Sequence, residues 1–242
     1  MASATLMFWQ LTDDDLILAQ AGDTGAAQRV FANALPTCER IALALCGTRP
    51  AARRVVKEVA KRGARQFDRW RAADDAGRWF MHHTILLTRR SRKPVEPKYD
   101  ILLEDVGGPD VVQYQAMIAA LRNLPPQQLE AFVLTHAQRW NTRLCAVAMD
   151  CSNKAVENHL AEANRQMTPL LGKNVDLLTA ALAQVYKSLP LDLPVAPETI
   201  AFRVRTGRSV RRVTRLVGWI VMLALIAAIT VAAIYLKDRI DV

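Results

Sequence analysis

From residue 11 to residue 188 the apolar residues recur at three- and four-residue steps, and the Val/Ile/Tyr/Thr alternation of a half-buried strand is absent. The pattern predicts an all-α protein. Leu11-Thr12-Asp13-Asp14-Asp15 opens a first helix, with Thr12 as N-cap and acidic residues in the first turn. Gly22-Asp23 punctuates before a helix over Ala26–Cys46, and Gly47-Thr48-Arg49-Pro50 is the next stop. A very basic helix over Ala51–Arg71, a turn at Asp74-Asp75-Ala76-Gly77 and a helix over Arg78–Arg92 follow. Pro94, Pro97, Gly107, Gly108 and Pro109 then mark residues 94–110 as a linker, which also carries Glu96, Asp100, Glu104 and Asp105.

Four more helices are predicted over Val111–Asn123, Pro126–Ala137, Thr142–Met149 and Asn153–Leu171, with Pro126 at the first helical position of the second. Ala146, the turn Asp150-Cys151-Ser152 and Val156, ten residues after Ala146, have the spacing of a helix-turn-helix, whose second helix can enter a DNA major groove. Asp176–Ser188 reads as a further amphipathic helix, and the prolines of Leu189–Pro197 as a semi-rigid spacer.

The last strongly patterned segment differs from the rest. Leu216–Leu236 has neither charge nor proline, and Trp219 and Tyr235 sit near its ends. At 1.5 Å per residue it would run about 31 Å as a helix, close to the hydrocarbon thickness of a bilayer. The expectation is a single transmembrane helix over 216–236 with a short outside tail, 237–242. Arg203, Arg205, Arg208, Arg211, Arg212 and Arg215 precede it, so the positive-inside rule places the N-terminal part in the cytoplasm and the anchor in the cytoplasmic membrane. Membrane lipid is thus an expected partner, and the arginines of 203–215 suit anionic headgroups.

Charge sharpens this organisation. Of the net +9, residues 49–98 hold 15 Lys or Arg against 5 Asp or Glu, and residues 203–215 hold 6 against none. Two separate basic blocks call for two explanations. Cys38, Cys46, Cys145 and Cys151 show no paired spacing, so they read as buried small hydrophobes rather than zinc ligands or a disulfide framework. No phosphate loop, zinc-protease motif or nucleophile elbow occurs, so neither an enzyme, a cofactor nor a metal site is expected. His82-His83 reads as a polar helix face, since adjacent residues point to different sides of a helix.

The order of a basic helical region, an acidic linker and a helix-turn-helix resembles bacterial extracytoplasmic-function (ECF) sigma factors of the sigma-70 family, over about residues 11–171. Residues Leu11 to Asp23 are similar to the family's opening, an acidic-apolar helix ending in Gly-Asp. Ala52–Trp70 resembles the helix that docks on the polymerase clamp, and Arg78-Trp79-Phe80-Met81, running on to Arg89-Arg90, the helix that melts and reads the −10 element. The most specific resemblance is Leu121-Arg122-Asn123-Leu124-Pro125-Pro126-Gln127-Gln128-Leu129-Glu130-Ala131-Phe132-Val133-Leu134, a string the family carries before its −35-reading helix-turn-helix.

This resemblance implies a region 2-like domain over 1–93, a region 4-like domain over 111–173, and a helix and spacer over 174–202. It implies RNA polymerase core and promoter DNA as partners, with an anti-sigma factor or a membrane complex as a further one. Val55, Lys57 and Glu58 would lie on the core-docking surface. Arg78, Trp79, Arg89 and Arg90 would act at the −10 element, with Trp70 and Trp79 placed to stack on unpaired bases. Ser152, Asn153, Lys154, Asn158 and Arg165 would face the −35 element. The sequence also departs from the family. Arg53, Arg54 and Lys57 occupy the usually acidic docking stretch, His82-His83-Thr84-Ile85-Leu86 replaces the usual residues after the tryptophan, and Glu157 and Glu162 sit on the recognition helix, where carboxylates repel phosphates. The alternative is a degenerate sigma-fold adaptor or structural subunit of a membrane complex, without transcription activity.

Overall fold

The computed structural model describes residues 11–104, 111–204, 206, 217, 219–226 and 229. Helix α1 (Asp13–Ala21) begins where the Thr12 hydroxyl accepts from the Asp15 amide, and ends at Gly22, whose φ of 116° only glycine tolerates easily. Helix α2 (Thr24–Cys46) is capped by Asp23 and closed by Gly47 at φ 72°. It is the central strut: α1, α3 (Arg49–Gln66) and α4 (Ala73–Ser91) all pack on it. Val30, Phe31, Ala34, Leu35, Cys38 and Ile41 are buried along it.

Two boundaries differ from the pattern-based reading. The basic helix stops at Gln66 and gives way to a 3-10 turn, Phe67–Arg69, because Phe67 and Trp70 turn inward onto Phe31 and Phe80. Residues Asp74 to Gly77 are not a turn but the opening of α4. Carboxylates suit the positive end of a helix, and Gly77 is buried there.

Helices α5 (Val111–Asn123), α6 (Pro126–Phe132), α7 (Thr142–Met149), α8 (Asn153–Leu171) and α9 (Val175–Ser188) form the second group. The single helix expected from Pro126 to Ala137 is broken by a π-helical turn, Val133–Ala137, on which α9 packs. Helix α8 packs on α5, α6 and α7.

The two groups share one continuous apolar core that runs from Leu11 to Val204. Helix α4 packs on α7, and α9 reaches α2. The described part of the linker is pinned between them. It forms 3-10 turns at Pro97–Tyr99 and Ile101–Leu103, with Asp100, Ile101 and Leu102 buried; residues 105–110 lie outside the described residues.

Three arginines hold this junction together. Arg122, at the end of α5, donates through Nη2 to Asp100 Oδ1 (2.9 Å) and through Nε to the other carboxylate oxygen. Its Nη1 caps the C-terminus of α2 at the Ala44 carbonyl (2.8 Å). Arg92, just past α4, donates to the carbonyls of Arg122 (2.7 Å) and Leu124 (2.9 Å) at the end of α5. Arg89 forms a two-pronged pair with Glu130 of α6, at 2.8 and 2.6 Å. Cations at helix C-termini meet the negative end of the helix dipole, so these contacts bind the halves by charge and by geometry.

The chain after α9 does not extend away as a spacer. Leu189 is buried, the Asp192 amide donates to Glu39 on α2 (3.0 Å), Asp192 pairs with Arg53 on α3, and Arg49 donates to the Pro190 carbonyl (3.1 Å). A helix over 197–204 then buries Ile200, Ala201 and Val204. Residues 189–204 thus form a strap across α2 and α3.

The transmembrane helix expected over 216–236 is corrected by the structure. No helix among the described residues is long and apolar enough to cross a membrane. The described residues there, 217, 219–226 and 229, are helical. The remainder of 216–236 and the tail 237–242 lie outside the described residues.

Both partners of the Arg122–Asp100 pair are buried, with side chains 6% and 0% exposed. Removing one leaves the other charge buried and unpaired, which typically costs about 3–5 kcal/mol. Arg122→Leu is therefore expected to lower the urea midpoint strongly, and Arg122→Met with Asp100→Leu to cost less than the two single changes summed. A midpoint unchanged in Arg122→Leu would show that the junction does not depend on this pair.

Candidate nucleic-acid and polymerase surfaces

The helix-turn-helix is built by local chemistry. Asn141 caps α7 by accepting from the Leu144 amide (2.9 Å), and α7 ends at Asp150 in the left-handed region, φ 55° and ψ 53°. The Cys151 amide returns to the Ala146 carbonyl (3.1 Å), which closes the turn. Ser152 then caps α8 by accepting from the Ala155 amide (3.1 Å). Ala146 and Val156 are both buried, at 6% and 1% exposure, as close contact between the two helices requires.

The outer face of α8 carries the expected polar residues. Ser152, Asn153, Lys154, Asn158 and Arg165 are all exposed. Two of its cations are already paired along the helix: Lys154 with Glu157 (3.4 Å), and Arg165 with Glu162 (2.5 Å). The Arg165 guanidinium draws the Glu162 carboxyl down to about 2, so this face keeps its negative charge throughout the neutral range.

Helix α4 presents a different outcome. Arg78 is exposed, with Asp74 at 4.0 Å, and Arg90 is exposed at the other end. Arg89, expected at the −10 element, instead faces inward onto Glu130 and also reaches the Met149 carbonyl (3.3 Å). Burial pushes the Glu130 carboxyl up while the Arg89 guanidinium draws it back. Trp79 is half-buried and lies parallel to the His83 ring, 4.0 Å between centroids, while the His83 Nδ1 stands 3.1 Å from the Trp79 carbonyl. Trp70, at 6% exposure, belongs to the aromatic core with Phe67, Trp79 and Phe80, so base stacking by it is corrected to packing.

On α3, Val55 faces the core at 1% exposure and not a docking surface. Lys57 is exposed, and Glu58 pairs with Arg62 one turn on (2.7 Å), which holds its carboxyl below the usual carboxylate range. Arg53 and Arg49 meet the strap and Glu104. Of the membrane-flanking residues, Arg203 is exposed on the helix over 197–204 and Trp219 is exposed; Arg205, Arg208, Arg211, Arg212, Arg215 and Tyr235 lie outside the described residues.

The junction residues Arg92, Asp100, Arg122 and Glu130 were not singled out by sequence reasoning. For Glu130 and Arg122 a signal existed, since both lie in the string from Leu121 to Leu134. For Asp100 the proline-rich surroundings concealed a buried carboxylate.

Among the described residues no group of three His, Cys, Asp or Glu side chains is placed to hold a metal ion. The four cysteines are free, with Cys38, Cys46 and Cys145 buried and Cys151 half-buried. Burial pushes the Cys38 thiol up to about 12 and the Cys46 thiol to about 11, which removes thiolate chemistry from them at neutral pH. Comparisons with family models, with curated proteins and with solved structures find no match to this chain.

Burial lowers the affinity of His83 and His136 for protons, His136 lying against the Phe132 ring at 4.4 Å. Above the ordinary histidine range both folded and unfolded chains are neutral at these sites, and full stability is present. Below about pH 6.5 the unfolded chain binds the protons first, so stability falls as pH drops toward the folded-state values. The Tm is expected to decline between about pH 7.5 and about pH 5.5, and His136→Gln to flatten that slope. An equal slope in His136→Gln would assign the pH dependence elsewhere.

Proposed function

We propose that the chain is an ECF sigma factor-like transcription-initiation protein, which binds RNA polymerase core through its N-terminal helices and promoter DNA through α8. The observation that carries the reading is the α7–turn–α8 unit, with a left-handed residue in the turn, a capped second helix and exposed Asn153, Lys154 and Asn158 on its first turns. Amide side chains at that position suit base edges, and the lysine suits a phosphate. Arg78 and Arg90 remain on the outer side of α4 as cations for the −10 element. Arg89 would join them only after leaving Glu130.

A second reading, an adaptor that keeps this scaffold without transcription, is favoured by one specific observation. The strap and the Arg89–Glu130 pair occupy surfaces that polymerase and promoter contacts would use.

The deciding experiment is co-purification of the full chain with polymerase core at low and moderate salt, followed by fluorescence anisotropy on promoter-length duplexes. Under the sigma-like reading, stoichiometric core binding is expected. Lys154→Ala should weaken DNA binding evenly across sequences and reduce the salt slope by about one, whereas Asn158→Ala should relax discrimination by about 1–3 kcal/mol at one base position. Absence of core binding at both salts, together with DNA affinity indifferent to both changes, would establish the adaptor reading.

A further inference from the structure

Side chains from the end of α4 and from α6 line a small pocket at the junction. Its volume is about 10 Å³, and its walls include Leu45, Thr88, Arg89, Arg92, Leu129 and Glu130. The charged members are not equivalent. Arg89 and Glu130 satisfy each other through two hydrogen bonds, at 2.8 and 2.6 Å, and the third guanidinium of the junction, Arg122, is matched by Asp100. Arg92 pairs with no carboxylate among the described residues: its Nη2 serves the carbonyls of Arg122 and Leu124, and its Nη1 is buried with no hydrogen-bond partner. An exposed guanidinium without a carboxylate is hydrated by bulk water. A buried N–H of a charged group that meets no acceptor is costly, and more so than a neutral one. Burial draws the Arg92 guanidinium below its ordinary range, and the neighbouring charge of Arg122 outweighs the opposing pull of Glu130.

We propose that this pocket is a binding site for one monovalent anion of chloride size, held by the buried Nη1 of Arg92. The space suits about one water-sized particle, and chloride is only slightly larger than water. A water molecule would accept the hydrogen bond and leave the charge unmatched. A halide does both, through a charge-assisted bond in surroundings where such bonds are strong. The other walls offer Arg92 no substitute. Leu45 and Leu129 are apolar, the Thr88 hydroxyl donates to the Ile85 carbonyl (2.7 Å), and both Glu130 oxygens already receive Arg89. The same small volume excludes sulfate, phosphate and organic anions. Arg92 follows α4 and also holds the end of α5, and Glu130 belongs to α6, so the anion would sit where the two halves meet. Parting the halves would release it, and rising chloride would favour the closed form by mass action. This site does not rest on the transcription reading.

The test is thermal unfolding of the full chain at constant ionic strength, with sodium methanesulfonate replaced stepwise by sodium chloride. The Tm is expected to rise by about 3 °C between roughly 10 and roughly 200 mM chloride, with bromide acting as chloride does and sulfate having no such effect. Arg92→Lys keeps the positive charge but lacks Nη1. The difference between chloride and methanesulfonate, measured within that variant, should shrink to below about 1 °C, whereas exposed Lys173→Ala should keep the full difference. The wild-type chain should also broaden the chlorine-35 NMR line, and bromide should reverse the broadening, a readout that stands even if Arg92→Lys does not fold. A Tm indifferent to the choice of anion, with no line broadening, would mean that the pocket holds water only and would overturn the proposal. An equal effect of sulfate would overturn it too, by placing the anion on an exposed patch, as would the full chloride effect in Arg92→Lys.

Discussion

The architecture depends on three cations at one junction. Arg89, Arg92 and Arg122 come from the end of α4, the residue after it and the end of α5. Each donates to a carbonyl or carboxylate that belongs to another element. A helix end leaves carbonyls without intrahelical partners, and an apolar neighbour would leave them buried and unsatisfied. Here Arg122 serves the end of α2 and Arg92 serves the end of α5, so each helix can terminate inside the molecule instead of at its surface. Gly47 is part of the same arrangement. A Cβ on it would lie 2.9 Å from Asp100 and 3.0 Å from Arg122, and its φ of 72° already disfavours a side chain. The closure of α2, the path of the linker and the seating of α5 are therefore one constraint.

That constraint bears directly on the proposed activity. The residues following Pro125 place Glu130 on α6 where it receives Arg89, and α7 lies against α4. The helix-turn-helix is thereby oriented by the N-terminal helices. Its turn is tied to α4 through the Arg89 contact with the Met149 carbonyl. The outer face of α8 stays open, whereas the inner face of α4 is occupied. A DNA-binding surface restricted to α8, Arg78 and Arg90 is smaller than the one the family resemblance implies.

Much of the helical layout was legible in the sequence because its signals are local. Thr12, Asp23 and Ser152 each act within three residues of themselves, and Gly22 and Gly47 end helices at the positions their composition marks. The turn at Asp150 followed from the spacing of Ala146 and Val156. What was not legible is carried by pairs far apart in sequence. Asp100 meets Arg122, Arg89 meets Glu130, and Asp192 meets Arg53, and no period or cap announces such partners. Proline spacing in 189–197 reads as a spacer, because composition describes the stiffness of a segment but not the surface it lies on. The tryptophans mislead for a related reason. An aromatic beside arginines resembles a stacking platform until burial shows that Trp70 faces Phe67 and Phe80.

Electrostatics then sets the terms on which such a molecule could open. Separating Arg89 from Glu130 would leave a carboxylate that is 3% exposed without its two-pronged partner unless the halves part enough to admit water. Breaking a buried pair of this kind costs about 3–5 kcal/mol, which keeps an opened form below roughly one molecule in a hundred. A partner can reverse that ratio only by binding the open form more tightly than the closed one by at least the same amount. On the proposed reading this falls to polymerase core rather than DNA. The α3 side offers Arg53, Arg54 and Lys57 in place of the usual acidic pattern, so a core surface that binds here must differ in charge from one that receives an ordinary docking helix. It must also displace or accommodate a strap held by Asp192 and by the Arg49 contact with the Pro190 carbonyl. The same two contacts that cover α3 thus select against partners with an unmatched charge pattern, and the strength of core binding should be limited by the strap before it is limited by the helix-turn-helix.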